Sequence, residues 1–405
     1  MPNVIRKTCL EALAAQRGNK LIKVVTGARR VGKSTLMAQY MERLSIEDPN
    51  APALFINFDV PIYRFLAEKG WNAALDAIVQ AISPVRTNYL FLDEIQNVPH
   101  YEKLLLGLFV HPQIDLYITG SNTCLQSGKL AALLAGRSIE VHVLPLSFSE
   151  YIELTGAAET ENPAAALGDY LMSGGIPEAV QLAAIDPACP AQYLQTVYNR
   201  VYESDIRPRH KIRTAASYRD VANFLAENIG RPVSPGGIAK VLTDGGAKID
   251  NKSASKYCAS LVDSRLFYRA DRWDIEKNRL LATREKYYAV DTGLRNALLA
   301  KNPQNDRARL LENAVFLELI RRKYQIWAGK AGAGEINFVA RDSDGGTKYI
   351  HVEQTVESPE ALARALAPFE KIPARAEKIL ITEDQDSGIW NGVRQVNAAV
   401  WLMGG

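Results

Sequence analysis

Cysteine is scarce in this chain of 405 residues: there are four, Cys9, Cys124, Cys189 and Cys258, all far apart in sequence. They form no CxxC pair, and the five histidines show no ligand spacing with them, so neither a disulfide framework nor a structural zinc is expected. Long apolar runs are also missing. The opening "MPNVIRKTCLEALAAQRGN" is an amphipathic mixture without an apolar signal core, and no run approaches the length of a membrane span, which implies a cytoplasmic protein with no membrane partner. Nor does one sign of charge dominate. With 48 Lys and Arg against 45 Asp and Glu, 47% hydrophobic and 23% charged residues, the composition excludes a disordered or fibrous chain and suits a soluble protein of roughly two to four domains.

What is present starts at residues 24–37, "VVTGARRVGKSTLM". The stretch Gly27, Ala28, Arg29, Arg30, Val31, Gly32, Lys33, Ser34 fits G-x-x-x-x-G-K-[ST], with Thr35 following. In a phosphate-binding loop the two glycines let successive backbone N–H groups turn inward toward a β-phosphate, the lysine reaches the β/γ oxygens and the serine hydroxyl serves Mg²⁺. Such a loop needs a buried strand before it and a helix after it, whose N-terminal dipole favours an anion. Residues 21–26, "LIKVVT", read as that strand, and Leu36, Tyr40, Met41 and Leu44 recur at helical spacing behind it.

A second motif follows in residues 88–99, "NYLFLDEIQNVP". The apolar run 89–92 ends abruptly on two adjacent carboxylates, as in a Walker B strand. Asp93 would then hold the Mg²⁺ shell and Glu94 would polarise the attacking water. Residues 116–122, "LYITGSN", make another buried strand with a polar end. Asn122 or Ser121 would hydrogen-bond the γ-phosphate or its water, or simply cap the strand.

Pattern changes divide the chain into an expected P-loop core at 1–148, a helical lid at 149–206, a winged-helix-like domain at 207–304 and an α/β domain at 305–405. The fold class is therefore α/β multidomain. Within the lid, Gly174-Gly175-Ile176-Pro177 is either a turn that brings a helix start near the nucleotide or a plain helix break. Residues 207–284 hold sixteen Lys and Arg against eight Asp and Glu, although the whole chain is only +3. Three short helices are expected there, one capped by Ser234 with Pro235 at its first position, followed by the strands "FYRADRW" and "KYYAVD" joined by "DIEKNRLLATRE". Three helices and a two-stranded wing resemble a winged helix-turn-helix. Its third helix would offer Lys252, Ser253, Ser255 and Lys256 to DNA, and the wing would add Lys277 and Arg279; protein docking is the other use of such a module. In the last hundred residues the glycine cluster "AGKAGAGE" precedes a strand rather than a helix, so it reads as a hairpin turn.

Together, "TGARRVGKST", "YLFLDEIQ", "ITGSN", "LAGRSIEVHVLPLSFSEY", "SGGIPEAV", "YCASLVDSRLFYRA", "KYYAVDTGLRNALL" and "LLENAVFLELIRR" resemble the prokaryotic AAA+-type ATPases, related to the archaeal ATPase group, over nearly the whole chain. The resemblance implies ATP and Mg²⁺ at the positions above and Asn122 as a polar sensor. It also points to Arg137 in "LAGR", which would act on the nucleotide of a neighbouring subunit or pair with a nearby carboxylate. The C-terminal α-β-β-β-α-β order resembles a restriction-endonuclease-like core. There, however, Asn337 stands in the aspartate position of "EIDF" and Glu353 where a lysine belongs, with Glu312 on the first helix. A lost anion and an acid in place of a cation argue against DNA cleavage, although Glu312, Glu335 and Glu353 are acidic enough to gather a metal. The expected activity is a DNA-associated ATP-hydrolysing motor or switch. The alternatives are a nucleotide-regulated protein-binding switch and, last, an ATP-dependent nuclease.

Overall fold

The computed structural model describes residues 4–121, 125, 128–157, 163–210, 212, 214–300, 306–332 and 334–404. The chain forms two compact units, Asn3–Val143 and Leu144–Gly405.

The first unit is built on five parallel strands: β1 (Ile22–Gly27), β2 (Ala53–Asn57), β3 (Asn88–Asp93), β4 (Ile114–Thr119) and β5 (Ser138–Val143), ordered β2-β3-β4-β1-β5. Strands β1, β3 and β4 are buried at every position, as continuous apolar runs covered on both faces should be. Leu90, Leu92 and Ile118 pack with Leu104, Leu105 and Leu108 of the helix Tyr101–Phe109. Phe91 stacks on Tyr117 with centroids 4.7 Å apart. Because β1 lies between β4 and β5, and β3 is on the far side of β4, the C-terminal ends of β1, β3 and β4 share one edge of the sheet. Loops leaving that edge are where ligands bind in open α/β sheets.

The second unit carries a mixed nine-stranded sheet. Its strands are β6 (Pro232–Val233), β7 (Phe267–Asp274), β8 (Arg279–Ala289), β9 (Gln325–Ala331), β10 (Gly334–Arg341), β11 (Thr347–Val352), β12 (Glu377–Thr382), β13 (Gly388–Trp390) and β14 (Val393–Asn397). They are ordered β13-β14-β12-β11-β10-β9-β7-β8-β6. The boundary expected between 304 and 305 is not a break in this fold. Strand β7 pairs in parallel with β9, Arg272 to Ala328 through Asp274 to Lys330, so the basic segment and the C-terminal strands share one sheet. The expected helical segment, 149–206, also falls within this unit.

The three helices expected in the basic segment form at Ala215–Glu227, Pro235–Asp244 and Asn251–Asp263, and Ser234 caps the second by accepting from the Gly237 N–H at 3.2 Å. Much of the expected connection "DIEKNRLLATRE" is strand instead: β8 begins at Arg279 and forms a long antiparallel hairpin with β7. Its outer part exposes Arg279 and Leu280, so it lacks the alternation that marks a half-buried strand. The glycine cluster turns the β9–β10 hairpin, with Ala331 paired to Gly334. Helix Arg307–Arg321 is buried from Leu310 to Leu319, including Glu312, Asn313 and Glu318, and so is covered on more sides than a single inner stripe.

Candidate nucleotide-binding site

At the end of β1, Gly27 has φ +144°, and a Cβ there would lie 2.2 Å from the Val143 carbonyl oxygen. No other residue fits. Arg30 (φ 68°) and Gly32 (φ 94°) take left-handed backbone, and Gly32 starts the helix Lys33–Glu47 without a side-chain cap. The helix N-terminus is thus left to an acceptor from elsewhere. Ala28 and Val31 are buried and anchor the loop, Arg29 and Ser34 are half-buried, and Arg30 and Thr35 are exposed. Lys33, only 8% exposed, donates its ammonium to the carbonyls of Gly27 at 3.1 Å and Ala28 at 2.9 Å, so the loop closes around it. Outside the motif, buried Arg6 donates to the Val31 carbonyl at 3.1 Å and braces the loop from behind.

Asp93 ends β3 fully buried. It accepts from Asn57 Nδ2 at 2.8 Å and from the Thr119 hydroxyl, and the Ser34 hydroxyl also hydrogen-bonds it. Burial pushes its carboxyl above the usual range; the Thr119 and Ser34 hydrogen bonds oppose that, neighbouring Glu94 adds to it and Lys33 subtracts. Glu94 has a left-handed backbone (φ 55°) and donates its N–H to Thr119 Oγ1 at 3.0 Å. A single hydroxyl at the end of β4 therefore serves both acids. The Glu94 carboxylate accepts from Gln96 Nε2, and Gln96 Oε1 accepts the Ser121 N–H at 3.1 Å. Ser34, Lys33, Asp93 and Glu94 are thereby brought together. A hydroxyl and a carboxylate are the hard oxygen donors that suit Mg²⁺, so the residues fit the ion the motif implies.

Asn122 lies outside the described residues. Arg137 is not brought to this site: it precedes β5, where Ile22 pairs with Ser138, at the opposite end of the strands from the loop. Five residues of strand separate those ends, ~16 Å. Arg137 is exposed and donates to the Leu133 carbonyl at 3.0 Å, with no carboxylate partner among the described residues. Sequence reading passed over Asn57, Thr119, Gln96 and Arg6. Asn57 and Thr119 carry the signal that exposed Asp93, a polar residue ending an apolar strand; Asn57 even pairs in register with Asp93.

In the second unit, Lys286 lies 3.5 Å from Glu312 and 3.3 Å from Glu335, Arg272 lies 2.9 Å from Glu335, and the Tyr288 hydroxyl donates to Glu312 at 2.7 Å. Asn337 accepts the Val352 N–H, and Glu353 sits 3.4 Å from His351, whose hydrogen bond holds its carboxyl below the usual range. Among the described residues no three His, Cys, Asp or Glu gather as a metal site. The Gly174-Gly175 turn is engaged by Asp291, which accepts from Gly175 at 2.6 Å and Leu294 at 2.7 Å and also from Gly293 and Ile176. On the helix Asn251–Asp263, Lys252, Ser255 and Lys256 are exposed, Ser253 is half-buried, and Ala254, Tyr257, Cys258 and Leu261 face the core. A groove of about 760 Å³ runs beside them, lined also by Ser234 and Asn251.

The strand order, the glycine loop around Lys33 and the acids ending β3 define a P-loop nucleotide-binding α/β domain. Residues 19–152 match the AAA domain family, and residues 164–305 match a domain of unknown function (DUF8612). An uncharacterized protein of Haemophilus influenzae is 33% identical over 405 residues, covering 99% of this chain and 98% of the relative; the chain belongs to its family. The uncharacterized protein MJ1544 of Methanocaldococcus jannaschii is 27% identical over 315 residues, 75% of this chain and 67% of the relative. The Walker-type ATPase PABY2304 of Pyrococcus abyssi superposes with a TM-score of 0.47 at 16% identity, over 73% of this chain and 96% of that one. No helix among the described residues is long and apolar enough to cross a membrane.

Proposed function

We propose that the chain is a Mg-ATP-dependent ATPase whose basic segment contacts DNA. The observation that carries the first part is the meeting of Lys33, Ser34, Asp93 and Glu94 at one sheet edge, with Lys33 already enclosed by its loop. The loop amides and Lys33 would bind the β- and γ-phosphates. Ser34 and Asp93 would hold Mg²⁺, which when bound neutralises charge on the phosphate oxygens. Glu94 would take a proton from water as the water oxygen bonds to the γ-phosphorus and the bridging P–O bond breaks, releasing ADP. Arg137 lies too far from its own loop to reach it, so a role in hydrolysis requires a second copy of the chain, and we assign it to a neighbour's nucleotide.

Three helices with the strands β6, β7 and β8 are read as a winged helix-turn-helix. Support for DNA comes from the charge surplus of residues 207–284 and from the lysines beside the groove. The C-terminal strands are proposed not to cut DNA, because Lys286 and Arg272 already pair with Glu312 and Glu335. ATP turnover measured with and without duplex and single-stranded DNA, at two salt concentrations, tests both parts. Turnover that needs Mg²⁺ and responds to DNA in a salt-dependent way is expected. No turnover would remove the first part, and indifference to DNA would move the basic segment to protein docking. A supercoiled plasmid held with Mg²⁺ or Mn²⁺, with or without ATP, should stay supercoiled.

A further inference from the structure

Gln96 is placed to do more than fill space beside Glu94. It stands in the three-residue turn Ile95–Asn97, gives its Nε2–H to Glu94 Oε2 and takes the Ser121 N–H on Oε1 at 3.1 Å. Chemistry settles which end of the amide is which. A carboxylate offers only acceptors and a backbone N–H only a donor, so turning the amide over would break both bonds. Glu94 is meanwhile held through its backbone, in a left-handed conformation that residues other than glycine seldom adopt, by the hydrogen bond to Thr119. The approach of the β4 end is close: a Cβ on Gly120 would lie 3.0 Å from Gln96 Oε1 and 3.3 Å from Ile95 Cγ2. Backbone and carboxylate of Glu94 are therefore tied separately to the end of β4, the first by Thr119 and the second by Gln96.

We infer that Gln96 is a positioning residue for hydrolysis: its amide fixes the rotation of the Glu94 carboxylate by holding Oε2, leaves Oε1 as the acceptor for the water proton, and links that rotation to the end of β4. This rests on the reading of Glu94 as the base. Gln96→Met keeps the volume and removes both bonds, while Gln96→Glu keeps the acceptor for Ser121 and removes the donor to Glu94. Both should lower kcat about ten- to a hundredfold with KM and ATP affinity unchanged, since a misplaced base costs rate rather than binding. In a Glu94→Gln background the same changes should have no further effect on the residual rate. Parental or raised kcat in Gln96→Met and Gln96→Glu would overturn the inference, the raised value meaning that Gln96 holds Glu94 idle. Equal losses in both backgrounds would also overturn it, by showing a structural role. If Glu94→Gln itself turned over at the parental rate, the base reading would fall and take the inference with it, an outcome distinct from failure of the Gln96 variants alone.

Discussion

Asp93 in the first unit and Asp291 in the second are both buried carboxylates whose affinity for protons burial raises, yet their partners differ in kind. Asp93 is held by the side chains of Asn57, Thr119 and Ser34, each able to rotate toward another acceptor or a cation. Asp291 is held by backbone N–H groups of Gly175, Ile176, Gly293 and Leu294, fixed in two interlocked turns. Exchangeable donors leave a buried acid open to a ligand, whereas backbone donors commit it to the fold. The same contrast separates Lys33, enclosed by loop carbonyls that an arriving phosphate can replace, from Lys286, paired with two carboxylates of its own unit.

The largest effect expected from this comparison is that of Lys33→Ala. It removes the charge that meets the phosphates, so ATP binding in titration calorimetry and turnover should both vanish, while the thermal midpoint moves little. A variant that held ATP as tightly as the parent would place the nucleotide elsewhere. Glu94→Gln follows: ATP and Mg²⁺ binding should persist through Lys33, Ser34 and Asp93, and turnover should drop by about 10² to 10⁴. Parental turnover would shift the base to another residue and leave the two units less unlike than proposed.

In the second unit, comparable damage should come from a single methyl group. A Cβ on Gly293 would lie 1.9 Å from the Ser173 carbonyl oxygen, and one on Gly174, at φ +75°, 2.2 Å from Asp291 Oδ1. Gly293→Ala should therefore destabilise this unit by about 4 kcal/mol or more. Tryptophan fluorescence in a denaturant titration reads it, since Trp273, Trp327, Trp390 and Trp401 lie in this unit and only Trp71 in the other. A shift below 1 kcal/mol would mean the turns relax freely and are no lock.

How legible each unit was in sequence follows from the same contrast. Phosphate binding demands glycine, lysine and hydroxyl at fixed spacing on contiguous residues, so Gly27 to Ser34 and Asp93-Glu94 could be read directly. Thr119 and Gln96 reach the same site only through strand order, which no local pattern states. The motifs "SGGIPEAV" and "KYYAVDTGLRNALL" were visible as separate stretches, but their meeting is a contact over 116 residues, Gly175 to Asp291. The short strands β13 and β14 escaped for another reason: three and five residues carry too little alternation to stand out.

A smaller effect should separate Asp291 from its surroundings by pH. Its carboxyl is pushed up to about 6 by burial, against the four backbone donors. The folded value exceeds the ordinary one of about 4, so the contribution to stability is complete below pH ~4, is lost as pH rises through ~6 and is flat above that. Asp291→Asn cannot titrate. Relative to the parent, the variant should gain about 3 kcal/mol between pH 4 and pH 7, read from denaturation midpoints. A parent that gains on the variant over that window would show that the backbone donors outweigh burial.

The smallest effect is expected where charge, not packing, is altered. Lys252 and Lys256 are exposed on one helix, four residues apart and so on the same face, while Ala254, Tyr257 and Cys258 of that helix supply the buried side. Substituting both lysines therefore leaves the core intact. If each meets a DNA phosphate, Lys252→Glu with Lys256→Glu releases fewer counterions on binding, and the slope of log affinity against log salt should become shallower by about two. At about 0.15 M salt the affinity should fall on the order of tenfold, with ATP binding in the first unit unchanged. The slope matters more than the affinity, because a nonspecific loss of folding would weaken binding at every salt concentration without changing how steeply it depends on salt. An unaltered slope, or a parent that binds no DNA at low salt, would assign this helix and its groove to a protein partner, and the basic surplus would then be a solvated face.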